Sequence, residues 1–94
     1  MRAKTIADIK AVNQAAGQCW FSRESMKFFH SRIETALYRG EYFITSEGSP
    51  ARRYSIRKAV DGGVLIETVG GYGAYNSLEA ARTALRAIIR NGGQ

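Results

Sequence analysis

The chain has 94 residues, 45% of them hydrophobic, and a formal net charge of +6 at pH 7. This size fits one domain, residues 1–94. The core of such a small domain is modest, and a second copy of the chain would add to the buried surface, so a homodimer is one expected state. The basic excess favours an acidic partner. The single Cys excludes an intrachain disulfide, so the cytoplasm is the default compartment. No apolar run reaches the roughly 20 residues of a membrane span.

The first predicted element is a helix over residues 5–16. Thr5 is a good N-cap, and Asp8 three residues later completes a pair of the capping-box kind. Apolar residues at mixed i+3 and i+4 spacing mark one face of this helix. Gly17 then suits the position just after the helix ends.

A second helix is predicted to begin at Ser22. It lies within a stretch, residues 17–32, that contains the only Cys, Trp and His of the chain. Phe21 before the cap and Met26 at the fourth helical position fit a hydrophobic staple. We therefore predict that the large apolar side chains of this stretch belong to the core, namely Trp20, Phe21, Met26 and Phe29.

Cys19 and His30 raise the question of a catalytic pair. Nucleophilic catalysis needs a base within hydrogen-bond reach of the thiol and usually a third group that orients the base. No Asn or Asp stands out for that role, and one Cys with one His falls short of the three or four ligands of a zinc site. The sequence therefore predicts a non-enzymatic protein with no metal and no cofactor, in which Cys19 is packed.

The middle of the chain predicts an antiparallel meander of three to four strands. The segments rich in alternating, β-branched and aromatic residues are 32–38, 41–46, 52–60 and 64–69. Asp61-Gly62-Gly63 is a strong hairpin signal between the last two. A final helix follows from about Ser77 to Arg90, with Asn76 and Glu79 as a capping pair and Asn91-Gly92 at its end. The order α-α-β-β-β-β-α predicts a two-layer α+β domain whose sheet packs against helices.

The segment "VGGYGAYNS", residues 69–77, joins the last strand to the final helix. Glycine-rich loops in that position can hold phosphates. However, the third glycine of the dinucleotide pattern is absent, and the sheet is predicted to be antiparallel. We expect a turn with Tyr72 and Tyr75 packing across it.

Basic residues concentrate in the third strand and the final helix. On the strand, Arg53, Ser55 and Arg57 share one face, which is predicted to be exposed and to be joined by Arg32 or Phe43 from neighbouring strands. Such a face could contact phosphates and stack on bases. An arginine stripe at i+4 spacing on the helix is more often a solvated face. The candidate binding residues are Arg32, Phe43, Arg52, Arg53, Arg57, Arg82, Arg86 and Arg90.

Two resemblances bear on function. Three strands followed by a helix that opens with "SLEAARTA" are similar in plan to plant ethylene-response and phage integrase arm-type DNA-binding domains. The segments "KTIADIKAVNQAAG", "WFSRESMKFFHSR", "YRGEYFITSE" and "RRYSIR" together resemble a family of small uncharacterised proteins encoded by bacteriophages, prophages and plasmids.

The second resemblance implies a mobile-element setting. Small non-enzymatic proteins in that setting often bind DNA or block a host defence system, CRISPR complexes included. We therefore expect a small basic binding protein that contacts nucleic acid or a host-defence nucleoprotein complex, as anti-CRISPR proteins do, in the host cytoplasm. The alternative is an inhibitor that binds an acidic host protein and never contacts nucleic acid.

Overall fold

The computed structural model of the protein describes residues 5–28, 32–34, 36–48 and 51–91, without the side chain of Phe28. The helices and strands follow the predicted order of two helices, four strands and one helix, which confirms the α+β class. A short turn, Asp61–Gly63, joins the third and fourth strands. The elements are α1 Ile6–Ala15, α2 Arg23–Phe28, β1 Arg32–Ile33, β2 Tyr42–Glu47, β3 Arg53–Val60, β4 Leu65–Val69 and α3 Leu78–Arg90.

The four strands form the predicted antiparallel meander, in the order β1-β2-β3-β4. β1 is shorter than the predicted strand over 32–38. Ile33 pairs with Thr45, and the next bridge joins Tyr38 to Tyr42. Between these two pairs, the chain has four positions on the β1 side but only two on β2. This surplus interrupts the ladder, because regular pairing needs equal numbers on both strands.

The ends of the elements follow local chemistry. Thr5 and Asp8 form the full capping box that begins α1, as predicted. Asp61 (φ 54°) and Gly62 (φ 76°) both have the left-handed backbone of a mirror-image hairpin turn, which matches the hairpin signal. The cap of α3 was predicted one residue too early, since the Ser77 hydroxyl, and not Asn76, accepts from the Ala80 amide.

One face of the sheet packs against α3. The buried residues Tyr42, Ile44 and Ile56 of the sheet meet Ala81 and Leu85 of the helix. Because strand residues alternate between faces, these sheet residues leave the neighbouring positions of β2 and β3 on the opposite face.

The opposite face carries a second, smaller cluster that consists of Ile9, Phe21, Phe43 and Ala59. Here the structure confirms that Phe21 is core and packs Trp20, which is partly exposed, against this cluster. Met26 is half-buried, and Phe29 lies outside the described residues. Helices thus contribute to both faces of the sheet.

α1 is held against the hairpin turn by the Asn13 side chain and by one close backbone approach. The buried Asn13 amide donates to the Gly63 carbonyl at 3.0 Å. A Cβ atom on Gly63 would lie 2.7 Å from the Ile9 carbonyl oxygen, so only glycine fits there without movement. α1 therefore covers the Phe43–Ala59 end of its face and leaves the other end to polar side chains.

Candidate functional site

A row of polar side chains occupies the second face of the sheet beyond Phe43. Glu47 is fully buried at the end of β2. Its carboxylate accepts hydrogen bonds from the hydroxyls of Thr45 and Ser55, both at 2.8 Å, and from the Arg57 guanidinium at 2.7 Å. The carboxylate is thus neutralised and satisfied by partners on two adjacent strands.

Arg57 is the centre of this buried network. Its Nε donates to the Thr45 hydroxyl at 2.9 Å, and its Nη1 donates to the Thr68 hydroxyl on β4. The guanidinium carbon also lies 5.4 Å from the ring centroids of both Trp20 and Tyr72. These contacts use the charge, the donor groups and the planar surfaces of one side chain.

The prediction that Arg57 and Phe43 lie on an exposed strand face is wrong. Arg57 is only 6% exposed, because Glu47 on the neighbouring strand pairs with it and two rings cover it. Phe43 is fully buried, with its ring centroid 6.0 Å from each of the Trp20 and Phe21 rings. Phe43 and Arg57 do share a face as predicted, but the N-terminal segment covers it. The prediction that Arg32 joins this face is wrong, because its ladder partner Ser46 lies on the α3 side of the sheet.

The loop between β4 and α3 also contacts this network. The Gly73 amide donates to the Ser55 hydroxyl at 2.7 Å, and the Gly73 carbonyl accepts from Arg53 Nε at 2.9 Å. The next contact along the chain is a two-hydrogen-bond bridge between Tyr54 and Tyr75. The loop is therefore tied to β3 on both sides of Gly73.

The two tyrosines of this loop lie in different environments. Tyr75 packs with the α3 cluster, as expected for a residue across a turn. Tyr72 does not follow that expectation, since its side chain is 56% exposed while its ring lies over Arg57. Partial desolvation raises the pKa of Tyr72; the nearby Glu47 charge adds to this effect and Arg57 opposes it.

Three of the predicted arginines gather at one corner of the sheet, where β2 ends and β3 begins. Arg32 pairs with Ser46 across the ladder, Arg52 donates to the Ser46 hydroxyl at 3.0 Å, and Arg53 pairs with Glu47. All three arginines are exposed. Arg32 and Arg52 lie with Ser46 on the α3 side of the sheet, whereas Arg53 lies with Glu47 on the opposite side, so the three meet at the edge of the sheet rather than on one face. With strands about 4.8 Å apart, their backbones fall within roughly 10 Å of one another. We call Arg32, Arg52 and Arg53 the arginine corner.

The other predicted arginines lie along α3. Arg86 and Arg90 are exposed and Arg82 is half-buried, as a stripe on the outer side of a helix requires. The inner side of α3 covers the face of the sheet opposite to Tyr72. The stripe therefore does not share a face of the sheet with that ring.

Cys19 is exposed, so the prediction of a packed cysteine is wrong. His30, the other member of the pair considered from the sequence, lies outside the described residues. Within the described ranges, no three His, Cys, Asp or Glu side chains come together as a metal site would require. In the same part of the chain, no helix combines the length and apolar character that crossing a membrane demands.

Sequence reasoning missed Glu47 and Tyr72 as parts of the site. Glu47 lies just outside the predicted strand over 41–46, although Thr45 and Glu47 on β2 repeat the two-residue polar spacing of Ser55 and Arg57 on β3. The register puts Thr45, Glu47, Ser55 and Arg57 on one face, with Thr45 opposite Ser55, and the long Arg57 side chain reaches along the face to Glu47. Nothing in the sequence indicates that Tyr72, rather than Tyr75, has the exposed ring.

Comparison with known proteins identifies a family. Residues 5–86 match the model of a family of unknown function, DUF7447. No curated protein and no solved structure matches the chain. The matched range includes α1, the whole sheet, the buried Glu47–Arg57 pair and the loop of Tyr72. The chain belongs to this family of unknown function.

Proposed function

We propose that the protein binds nucleic acid through the arginine corner, as a non-enzymatic binding protein. The observation that carries the proposal is the meeting of exposed Arg32, Arg52 and Arg53 at the junction of β2 and β3 in a chain of net charge +6. Arginine guanidinium groups match phosphate geometry and bind it in a bidentate manner.

The carboxylate nearest to the corner does not cancel this charge. Glu47 pairs with Arg53 in the ladder, but its carboxylate is buried and satisfied by Arg57, Thr45 and Ser55. Arg53 uses Nε for the Gly73 carbonyl, and among the described residues its terminal amino groups have no partner. Those two groups are available to a phosphate.

The resemblance to phage, prophage and plasmid proteins supplies a setting for this activity. In that setting the nucleic acid could belong to a host-defence nucleoprotein complex, and the protein would act in counter-defence in the host cytoplasm. The same basic surface also suits an acidic host protein, and the experiment below separates these two targets by their response to bare nucleic acid.

The test is fluorescence anisotropy of labelled random-sequence DNA and RNA at several salt concentrations. Phosphate contacts release counterions, so log affinity should fall with log salt by about 0.9 per contact on duplex DNA and 0.7 on single strands. An Arg32→Ala/Arg52→Ala/Arg53→Ala variant should flatten the slope by about two to three units.

The matched control removes three charges from α3 in an Arg82→Ala/Arg86→Ala/Arg90→Ala variant. Both variants have the same net charge, so a larger loss in the corner variant assigns the contact to the corner. Melting curves of both proteins verify that they fold. Absence of binding at low salt would contradict the proposal and direct the search to an acidic protein partner.

A further inference from the structure

Tyr72 is a large aromatic side chain that the fold holds in solvent. Among the described residues, only Tyr72 and Leu65 are large hydrophobic side chains at least half exposed. An exposed ring on a loop is ordinarily mobile, and binding would then carry the entropic cost of fixing it. The contacts around Tyr72 remove much of that cost.

The support for Tyr72 begins in the core of the sheet. Arg57 lies against the ring and is itself fixed by Glu47, Thr45 and Thr68 and by contact with the Trp20 ring. The Arg57 guanidinium therefore contacts two aromatic rings, and of the three side chains Tyr72 is the most exposed.

The backbone of the loop is fixed as well. The residue after Tyr72, Gly73, bonds through its amide to Ser55 and through its carbonyl to Arg53. Gly73 has φ 62°, and a Cβ atom there would lie 3.4 Å from the Arg53 Cβ, so the arginine side chain runs directly beside the loop. An exposed ring and an exposed guanidinium are thus held next to each other.

From this arrangement we propose that Tyr72 is a stacking platform for an unpaired base, and that the ligand class is single-stranded nucleic acid. The inference deepens the nucleic-acid binding proposed above and rests on it. Arg53 of the corner would hold the phosphate beside the stacked base. A ring beside a cationic groove is the combination by which proteins bind single strands, whereas the bases of a duplex are stacked on each other and unavailable.

The experiment compares three probes of equal length: a single-stranded DNA, the same strand with abasic residues, and a duplex. A single-stranded RNA of the same sequence tells which sugar is preferred. Stacking accounts for about 5- to 150-fold in affinity per base, so Tyr72→Ala should weaken single-strand binding by that factor. The wild type should bind the abasic strand as weakly as Tyr72→Ala binds the normal strand.

Two further variants make the result specific. Tyr72→Phe retains the ring and should restore binding to within about two-fold of the wild type. Leu65→Ala removes the other exposed apolar side chain and should leave the affinity unchanged. Both positions are exposed, so all of these variants should fold. Tyr72→Phe and Leu65→Ala should melt as the wild type does, whereas Tyr72→Ala gives up the ring contact with Arg57 and should melt slightly lower.

The outcomes separate the two proposals. Salt-sensitive binding that is equal for normal and abasic strands and indifferent to Tyr72→Ala would overturn the platform while leaving phosphate contact by the corner intact. Preference for the duplex would overturn the platform in the same way. No binding of any probe at low salt would overturn the nucleic-acid function itself.

Discussion

Replacing Glu47 by glutamine tests whether the buried ion pair holds the site together. Glutamine keeps the size of the side chain but removes the charge that compensates Arg57, which is 6% exposed. Breaking one side of a buried pair typically costs about 3–5 kcal/mol, because the remaining charge is left without compensation in a poorly solvated position. We expect a loss in that range, since three donors converge on this carboxylate.

The assay is urea unfolding followed by far-UV circular dichroism and by fluorescence of Trp20. Trp20 is the only tryptophan and lies against Arg57, so its emission reports the state of the network directly. Glu67→Gln is the matched control: Glu67 is exposed on β4, and this change should alter the free energy of unfolding by no more than about 0.5 kcal/mol.

A double-mutant cycle completes the test. The pair replacement Glu47→Leu/Arg57→Met should cost less than the sum of the single changes, because removing both charges leaves neither one uncompensated. A Glu47→Gln protein that unfolds within 1 kcal/mol of the wild type, or strictly additive changes in the cycle, would refute the reasoning.

Three other predictions follow from the same contacts. Phe43→Ala should lower the free energy of unfolding by about 3–5 kcal/mol in urea, whereas an unchanged midpoint would show that its ring is not core. In a difference titration against Tyr72→Phe, the Tyr72 phenol should ionise above pH 10. Because the native state holds this proton more tightly than the unfolded state does, the stability linked to it is complete below about pH 10 and is lost as pH rises through the native pKa. A titration midpoint at or below pH 10 would contradict the raised pKa. Cys19→Ala should leave melting and binding unchanged, and the native thiol should react rapidly with a soluble disulfide reagent; a thiol that reacts only on unfolding would contradict its exposure.

The parts of the fold that the sequence predicted are those determined by local chemistry. Three such features depend on residues within a few positions of one another. They are the capping box of Thr5 and Asp8, the Asp61-Gly62 turn and the period-two alternation of β3. Short connections between strands then favour neighbouring antiparallel pairs, and the meander follows from that preference.

The exposure of the site could not be predicted in the same way. The alternation of β3 places Arg53 and Arg57 on one face, but it does not say what covers that face. Trp20, more than thirty positions away in sequence, covers Arg57, while Arg53 stays in solvent at the end of the strand. Burial of a charged residue depends on such long-range contacts and on a partner such as Glu47, which local patterns do not reveal.

The central claim is that the arginine corner is the surface that meets nucleic acid. The most direct measurement is a two-dimensional ¹H–¹⁵N NMR titration that observes arginine Nε–H and backbone amide signals while a short single-stranded oligonucleotide is added at low salt. We expect the largest shifts at Arg52 and Arg53 Nε–H and at the Gly73 amide, with small shifts at Arg86 and Arg90. Shifts confined to α3, or a spectrum that does not change at saturating oligonucleotide, would contradict the claim.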